Sequence, residues 1–218
     1  MAIVHYEGKL GKFDYDDAEW RLFKKDRGNV NYFEYLHYIG NKTDGEDIKI
    51  PEGITDCTFM FRERIYLRSA PTIPNGVKSC AHMFEYCASL RIPPIIPEGV
   101  IDCTQMFRRC TSLTYAPAIP DGVKTCTTMF DDCISLVSAP TIPNGVKSCA
   151  HMFDGCTSLT IAPDIHDGMK DCSCNFMFNG CTSLTTVQEI IPKGVKDYID
   201  MFRGCTALKK RPIIIIDL

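Results

Sequence analysis

The first 50 of the 218 residues contain no cysteine and no proline, although the chain holds 13 of each, and a single tryptophan, Trp20, serves the whole chain. Other scarcities exclude whole classes of function. Apolar runs are short: the best candidate, Ile213, Ile214, Ile215 and Ile216, is far below the length that spans a bilayer. No large excess of one charge exists either. Residues 1–50 hold 8 Lys+Arg against 10 Asp+Glu, and the remainder 16 against 17. A nucleic-acid binder driven by phosphate contacts needs a basic body, so nucleic acid is disfavoured as a partner except within a ribonucleoprotein. The start, Met1-Ala2-Ile3-Val4-His5-Tyr6-Glu7, has no basic stretch followed by an apolar one, so the expectation is a cytoplasmic chain with reduced thiols. No serine or cysteine sits in a nucleophile motif beside a histidine and an acid, and the glycines are too dispersed to cradle phosphate. The reading is a non-enzyme without a cofactor.

What is present is a repeat. Met-Phe recurs at 60–61, 83–84, 106–107, 129–130, 152–153, 177–178 and 201–202. Leucine follows in step at Leu67, Leu90, Leu113, Leu136, Leu159, Leu184 and Leu208. The first four steps are 23 residues, a period that means a solenoid. Residues 70–84 recur unchanged at 139–153, three periods on, so a block was duplicated. Residues shared by every coil therefore report architecture, and function belongs where coils differ.

Within one coil, Val100, Cys103, Met106, Phe107, Cys110 and Leu113 fall at helix-like spacing with one apolar face. The stretch from 113 to 119 suits a short extended segment, and Pro120-Asp121-Gly122 a turn. Each coil is expected to carry a short helix and a short parallel strand, the strands irregular because Pro71, Pro94, Pro117, Pro140 and Pro163 each remove a ladder donor. The fold class is α/β: a seven-coil solenoid over 50–218 and a small α+β cap over 1–49. In the cap, residues 3–13 and 32–39 read as strands and Asp44-Gly45 as a turn. Asp16-x-x-Glu19 reads as the start of a helix carrying Trp20 into the core.

The coil motif Val-x-x-Cys-x-x-Met-Phe-x-x-Cys-x-Ser-Leu followed by Ile-Pro resembles the BspA-like leucine-rich repeats over about residues 50–208. The resemblance implies a generic protein-binding scaffold. Many members are secreted adhesins; small unexported ones are carried by phages and mobile elements, where some bind and block host machinery. An intracellular inhibitor of a bacterial defence or regulatory complex is thus the first expectation and a surface adhesin the alternative. A cysteine-based metal protein is the third.

The cysteines pair seven apart, unlike the close spacing of metal ligands, and both members fall on the apolar stripe. They read as small buried thiols. In coil six two extra residues bring Cys172 beside Cys174, and one of these is expected to be displaced outward.

Two surfaces vary. Beside the extended segments, Ile92, Ile95, Tyr115 and Ala118 form an apolar patch if they face solvent, or part of the core if the strands turn them in. After Met-Phe runs a column of changing sign, including Arg108, Arg109, Asp131 and Asp132, which either solvates a face or reads a partner of mixed charge. At the end, Ile213 to Ile216 either pair with a second copy as an exposed edge, giving a homodimer, or fold back onto the last coil.

Overall fold

The computed structural model describes residues 43–50, 52–169, 171–191 and 195–214, together with four strands nearer the N-terminus. These are β1 (Ile3–Gly8), β2 (Gly11–Asp16), β3 (Lys25–Asp26) and β4 (Asn29–Val30). β1 and β2 pair antiparallel from Ile3↔Asp16 to Gly8↔Gly11, and β3 pairs with β4. Residues 3–13 therefore belong to two paired strands rather than one: β1 ends at Gly8 and β2 begins at Gly11. Asp16 ends β2, while Glu19, Trp20 and the segment 32–39 lie outside the described residues. Asp44-Gly45 leads into a 3-10 turn at Gly45–Asp47.

From Thr43 onward the chain is a stack. Parallel contacts link coil to coil in two columns, one through Asp56, Ser79, Asp102, Thr125, Ser148, Ser173 and Asp197, the other through Ser69 and Ile92, then Tyr115, Ser138, Ile161 and Thr186. Each contact is a single residue wide, and in the second column the recurring prolines account for this. Pro71, Pro94, Pro117 and Pro140 are buried beside the second column. Among the described residues of the stack only β5 (Ile190–Ile191) and β6 (Ile213–Ile214) extend to two residues, paired in parallel. Stacking reaches Thr43, whose carbonyl accepts from Arg68 N–H at 2.6 Å.

The expected helix in each coil is absent: no α-helix occurs among the described residues. The Met-Phe segment is a chain of tight turns. Met83 N–H bonds Cys80 O, Glu85 N–H bonds His82 O and Cys87 N–H bonds Phe84 O, each spanning three residues. The alternate donors point elsewhere. Cys80, His82, Phe84 and Tyr86 give their N–H groups to Asp102, Thr104, Met106 and Arg108 of the next coil at 2.8–2.9 Å. An α-helix would spend every N–H within itself. The stack needs half of them for its neighbour, and turning them requires left-handed residues at regular intervals. They occupy the position before each Met-Phe, as at Phe59, His82, Gln105, Thr128, His151, Phe176 and Asp200. They recur two residues after it, as at Glu63, Tyr86, Arg109, Asp132, Gly155, Gly180 and Gly204. Far-UV circular dichroism should accordingly show a turn and β-type spectrum without the paired minima of helix; a helical spectrum would contradict this backbone.

Turns of three residues still face every third side chain inward, so the apolar pattern is satisfied. Met, Phe, the cysteines and Leu of successive coils fill one continuous core, with Cys205 and Leu208 of the last coil partly buried against it. The phenylalanines stack from Phe61 through Phe84, Phe107, Phe130, Phe153 and Phe178 to Phe202, with centroids 5.3–5.7 Å apart and rings within 10° of parallel.

Candidate protein-binding face

The variable residues beside the second column face solvent. Ile92 is 57% exposed, Ile95 89% and Tyr115 46%, and Ala118 is exposed as well. The contact column explains this: its single-residue bridges hold Leu90, Ile96, Leu113 and Ile119 inward and leave the residues between them outside. Val137, Ile161, Ile190 and Ile213 continue the exposed apolar line along the rod. Ile161 stands in the same column as Ile92 and Tyr115, and Val137 in the column beside it.

The column after Met-Phe is different. Arg108 bonds Asp131 at 2.7 Å and Glu85 at 3.3 Å, Arg109 bonds Asp132 at 3.0 Å, and Arg62 forms an ion pair with Glu85 at 2.8 Å. Glu85 is 2% exposed and takes a third contact from His82 Nδ1 at 3.0 Å. The Tyr86 ring lies 5.3–5.8 Å from the guanidinium carbons of Arg62, Arg108 and Arg109. Burial pushes the Asp131 carboxyl up against the pull of Arg108, with Asp132 and Asp154 adding to the rise. The Asp131 bond holds Arg108 above its ordinary value. Charges of both signs on adjacent coils thus satisfy one another, which is what a stack with like-facing columns needs. Arg108, Arg109, Asp131 and Asp132 are engaged within the chain.

The cysteines are buried, Cys205 partly, and none is paired in a disulfide. Both Cys172 and Cys174 are fully buried, which corrects the expected outward displacement. A 3-10 turn at Asp167–Met169 absorbs the extra residues, and Ser173 keeps its place in the ladder opposite Ser148. The neighbouring thiols of Cys149 and Cys174 lower the Cys172 pKa, and Cys172 raises theirs. The second cysteine of each pair has a role beyond filling space. Cys87 Sγ–H donates to the Phe61 carbonyl at 3.0 Å, and Cys110, Cys133, Cys156, Cys181 and Cys205 repeat the bond one coil back each time, at 3.0–3.1 Å. Among the described residues no group of three or more His, Cys, Asp or Glu is arranged to hold a metal ion.

His166 stands in place of a turn proline and holds that turn: Nε2 meets the Ile142 carbonyl at 2.8 Å and Nδ1 accepts from Gly168 N–H. His151 stacks on Phe176, and His82 packs against Phe59 at a tilt of 31°. Ile213 and Ile214 lie in the ladder on Ile190 and Ile191, with Ile213 exposed, so they continue the coil pattern; Ile215 and Ile216 fall outside the described residues. Among the described residues no helix is long and apolar enough to cross a membrane.

Neither a protein-family model nor a curated relative matches the chain. Solved structures do. The T. pallidum leucine-rich-repeat protein TpLRR superposes with a TM-score of 0.55 at 24% identity, covering 75% of this chain and 73% of that one. A leucine-rich cell surface protein of Faecalibacterium prausnitzii matches at 20% identity and TM-score 0.34, covering 78% and 71%. A leucine-rich-repeat protein of Bacteroides ovatus matches at 18% and 0.30, covering 94% and 72%. The stacked turns, the two contact columns and the TpLRR superposition together make this chain a leucine-rich-repeat solenoid of the kind its BspA-like motif resembles.

Proposed function

We propose that the chain is a non-enzymatic protein-binding scaffold whose working surface is the exposed face carrying Ile92, Ile95, Tyr115 and Ala118. The observation that carries this reading is the exposure of that line. Apolar side chains stand outward in successive coils of a core that has room for none of them, and such a patch marks a macromolecular interface. The sign-changing column is a weaker candidate, since its charges are already paired and a partner would have to displace those bonds. Thiols that donate to carbonyls must be reduced, which fits a reducing compartment such as the cytoplasm. Blocking a host defence or regulatory complex is the role this reading adopts from the mobile-element members of the resemblance.

The test is affinity capture with the purified chain and its Ile95→Asp and Arg108→Glu variants. Proteins retained by the wild type should drop about tenfold or more with Ile95→Asp, because a buried unpaired carboxylate costs more than 1.4 kcal/mol. If Ile95→Asp retains them and Arg108→Glu does not, the binding surface is the charged column.

A further inference from the structure

Successive coils cross the exposed face as short rungs, and the last two described, 185–191 and 209–213, part where earlier rungs touch. Thr185 N–H still bonds Thr160 O on the preceding rung, but among the described residues no such bond joins Lys209 N–H to Thr185. Contact resumes where Ile213 N–H meets Glu189 O at 2.8 Å. The sequence explains the gap. In the two preceding rungs the inward isoleucine follows the inward leucine by six residues, as in Leu136 to Ile142 and Leu159 to Ile165, whereas Ile191 follows Leu184 by seven. Gln188 takes the place of the rung proline, and its amide N–H groups bond the carbonyls of Ile165 at 2.7 Å and Ile190 at 2.6 Å. The longer rung is thus drawn towards its predecessor, and a pocket of about 220 Å³ opens on its other side. The walls have two characters. Val187, Leu208 and Pro212 are half-buried and apolar, while Lys209, Lys210 and Arg211 are exposed and cationic. Arg211 stands where Ala116, Ala139, Ala162 and Val187 pack against the core in the preceding rungs. The one acid of the walls, Glu189, meets Lys210 at 3.3 Å, with both side chains largely exposed. The side chains of Lys209, Arg211 and Thr186 make no hydrogen bond or ion pair among the described residues.

We infer that this pocket takes a carboxylate carried by the protein partner: an acidic side chain, its apolar stem against Val187, Leu208 and Pro212 and its oxygens among the cations. The inference rests on the reading of this face as protein-binding and names what the partner brings to one end of it. Pocket and face are continuous. Thr186 lies in the column of Tyr115 and Ile161, and Ile190 and Ile213 are exposed in the same two rungs. With rungs about 4.8 Å apart, Tyr115 lies about 14 Å from the Thr186 wall, so an extended segment of about four residues reaches from one to the other. Charge selects the sign of the anchor, since three cations against one acid attract a carboxylate and repel an amine. Lys209 and Arg211 have no partner to give up, and the exposed pair of Lys210 with Glu189 holds too weakly to compete with a charge-assisted bond in the pocket. The apolar wall selects a side chain over a free anion, which would leave that surface uncovered.

The probe is the peptide acetyl-Leu-Ser-Leu-Glu-Glu-amide, titrated into the nitrogen-labelled full chain and followed by heteronuclear NMR. The amide resonances of Thr186, Val187, Gln188 and Lys210 should shift together and saturate. The same peptide with glutamine in place of both glutamates should bind about tenfold more weakly, and added salt should weaken the acidic peptide while leaving the neutral one unchanged. Lys209→Gln and Arg211→Gln should each weaken the acidic peptide about threefold, and together about tenfold, with resonances outside the pocket unmoved. Equal binding of the two peptides overturns the carboxylate anchor, and so do shifts centred on Arg68 and Arg91 instead of the pocket. Inorganic phosphate that saturates the same resonances at a lower concentration than the peptide also overturns it, since the pocket would then be a site for a free anion. The face itself is tested apart from its end: capture with Ile95→Asp decides whether it binds protein, whatever the peptides do.

Discussion

Raising the pH through about 9 to 10 should unfold this protein in one cooperative step, with thiolate absorbance rising as structure is lost. The cause is the buried cysteine columns. Eleven fully buried thiols, from Cys57 to Cys181 with Cys172 set aside, are held above the ordinary value of 9.0, nine of them chiefly by burial and Cys149 and Cys174 chiefly by the neighbouring Cys172; Cys57, Cys87 and Cys126 are pushed up to about 12. A group whose folded pKa is raised contributes its full stability below the unfolded pKa, and that stability drains away as pH climbs towards the folded value. One unit above the unfolded pKa, each thiol favours the unfolded chain by about 1.4 kcal/mol. Eleven of them together match or exceed the roughly 5–15 kcal/mol that holds a domain folded. The measurement is circular dichroism and ultraviolet absorbance along one titration. Thiolate absorbance that climbs gradually while the spectrum stays native would mean the columns are open to water, and the core described above would be wrong.

The repeat frame was legible because stacking imposes a fixed inward set. Met, Phe, Cys and Leu at a 23-residue period can only be satisfied by a solenoid, and all of these columns are buried as expected. The local backbone was not legible from that set. Spacings of three and four suit an α-helix, but a chain of three-residue turns presents the same side chains inward. One residue column did carry the distinction. Gly155, Gly180 and Gly204 follow Met-Phe by two residues and take φ of 70–72°. Glycine in mid-helix is costly, so its recurrence there argued against helix and for a left-handed position. In other coils Tyr86, Arg109 and Asp132 adopt the same conformation, at a cost of order 1–2 kcal/mol each that the inter-coil hydrogen bonds offset.

The face was half legible for a related reason. Alternation within one coil puts Ile92 and Ile95 beside the buried Leu90 and Ile96, and exposure follows. Charge pairing between coils needs the register of neighbours. Arg108 and Asp131 are 23 residues apart, one coil, so the column of changing sign reads equally as a recognition surface or as an internal ladder until the stack is seen. The thiol bonds are of the same kind. Cys110 and the Phe84 carbonyl are 26 residues apart, and only the three-dimensional register brings the sulfur to the lone pair that the turn bond from Cys87 N–H leaves open.

Replacing Phe130 by alanine should cost about 4–5 kcal/mol, the upper part of the range for a buried aromatic, and leave the chain marginal at ordinary temperature. Phe130 is fully buried, with Phe107 at 5.5 Å on one side and Phe153 at 5.6 Å on the other. Its removal opens a ring-sized void that neighbours locked in parallel stacks cannot collapse into, and two offset-stacked contacts worth about 0.5–1.5 kcal/mol each go with it. In a stack stability is a sum of coil terms and nearest-neighbour terms, so position along the rod should matter. Phe202 supplies the comparison. It stacks on Phe178 at 5.4 Å and is 6% exposed, and it ends the phenylalanine column. Phe202→Ala therefore loses one neighbour term rather than two, and water can reach part of the space it leaves. Urea unfolding of the two variants should put Phe202→Ala at roughly half the cost of Phe130→Ala. Equal costs would mean that burial alone sets the stability of each coil, and that the parallel rings follow from the repeat geometry without coupling one coil to the next.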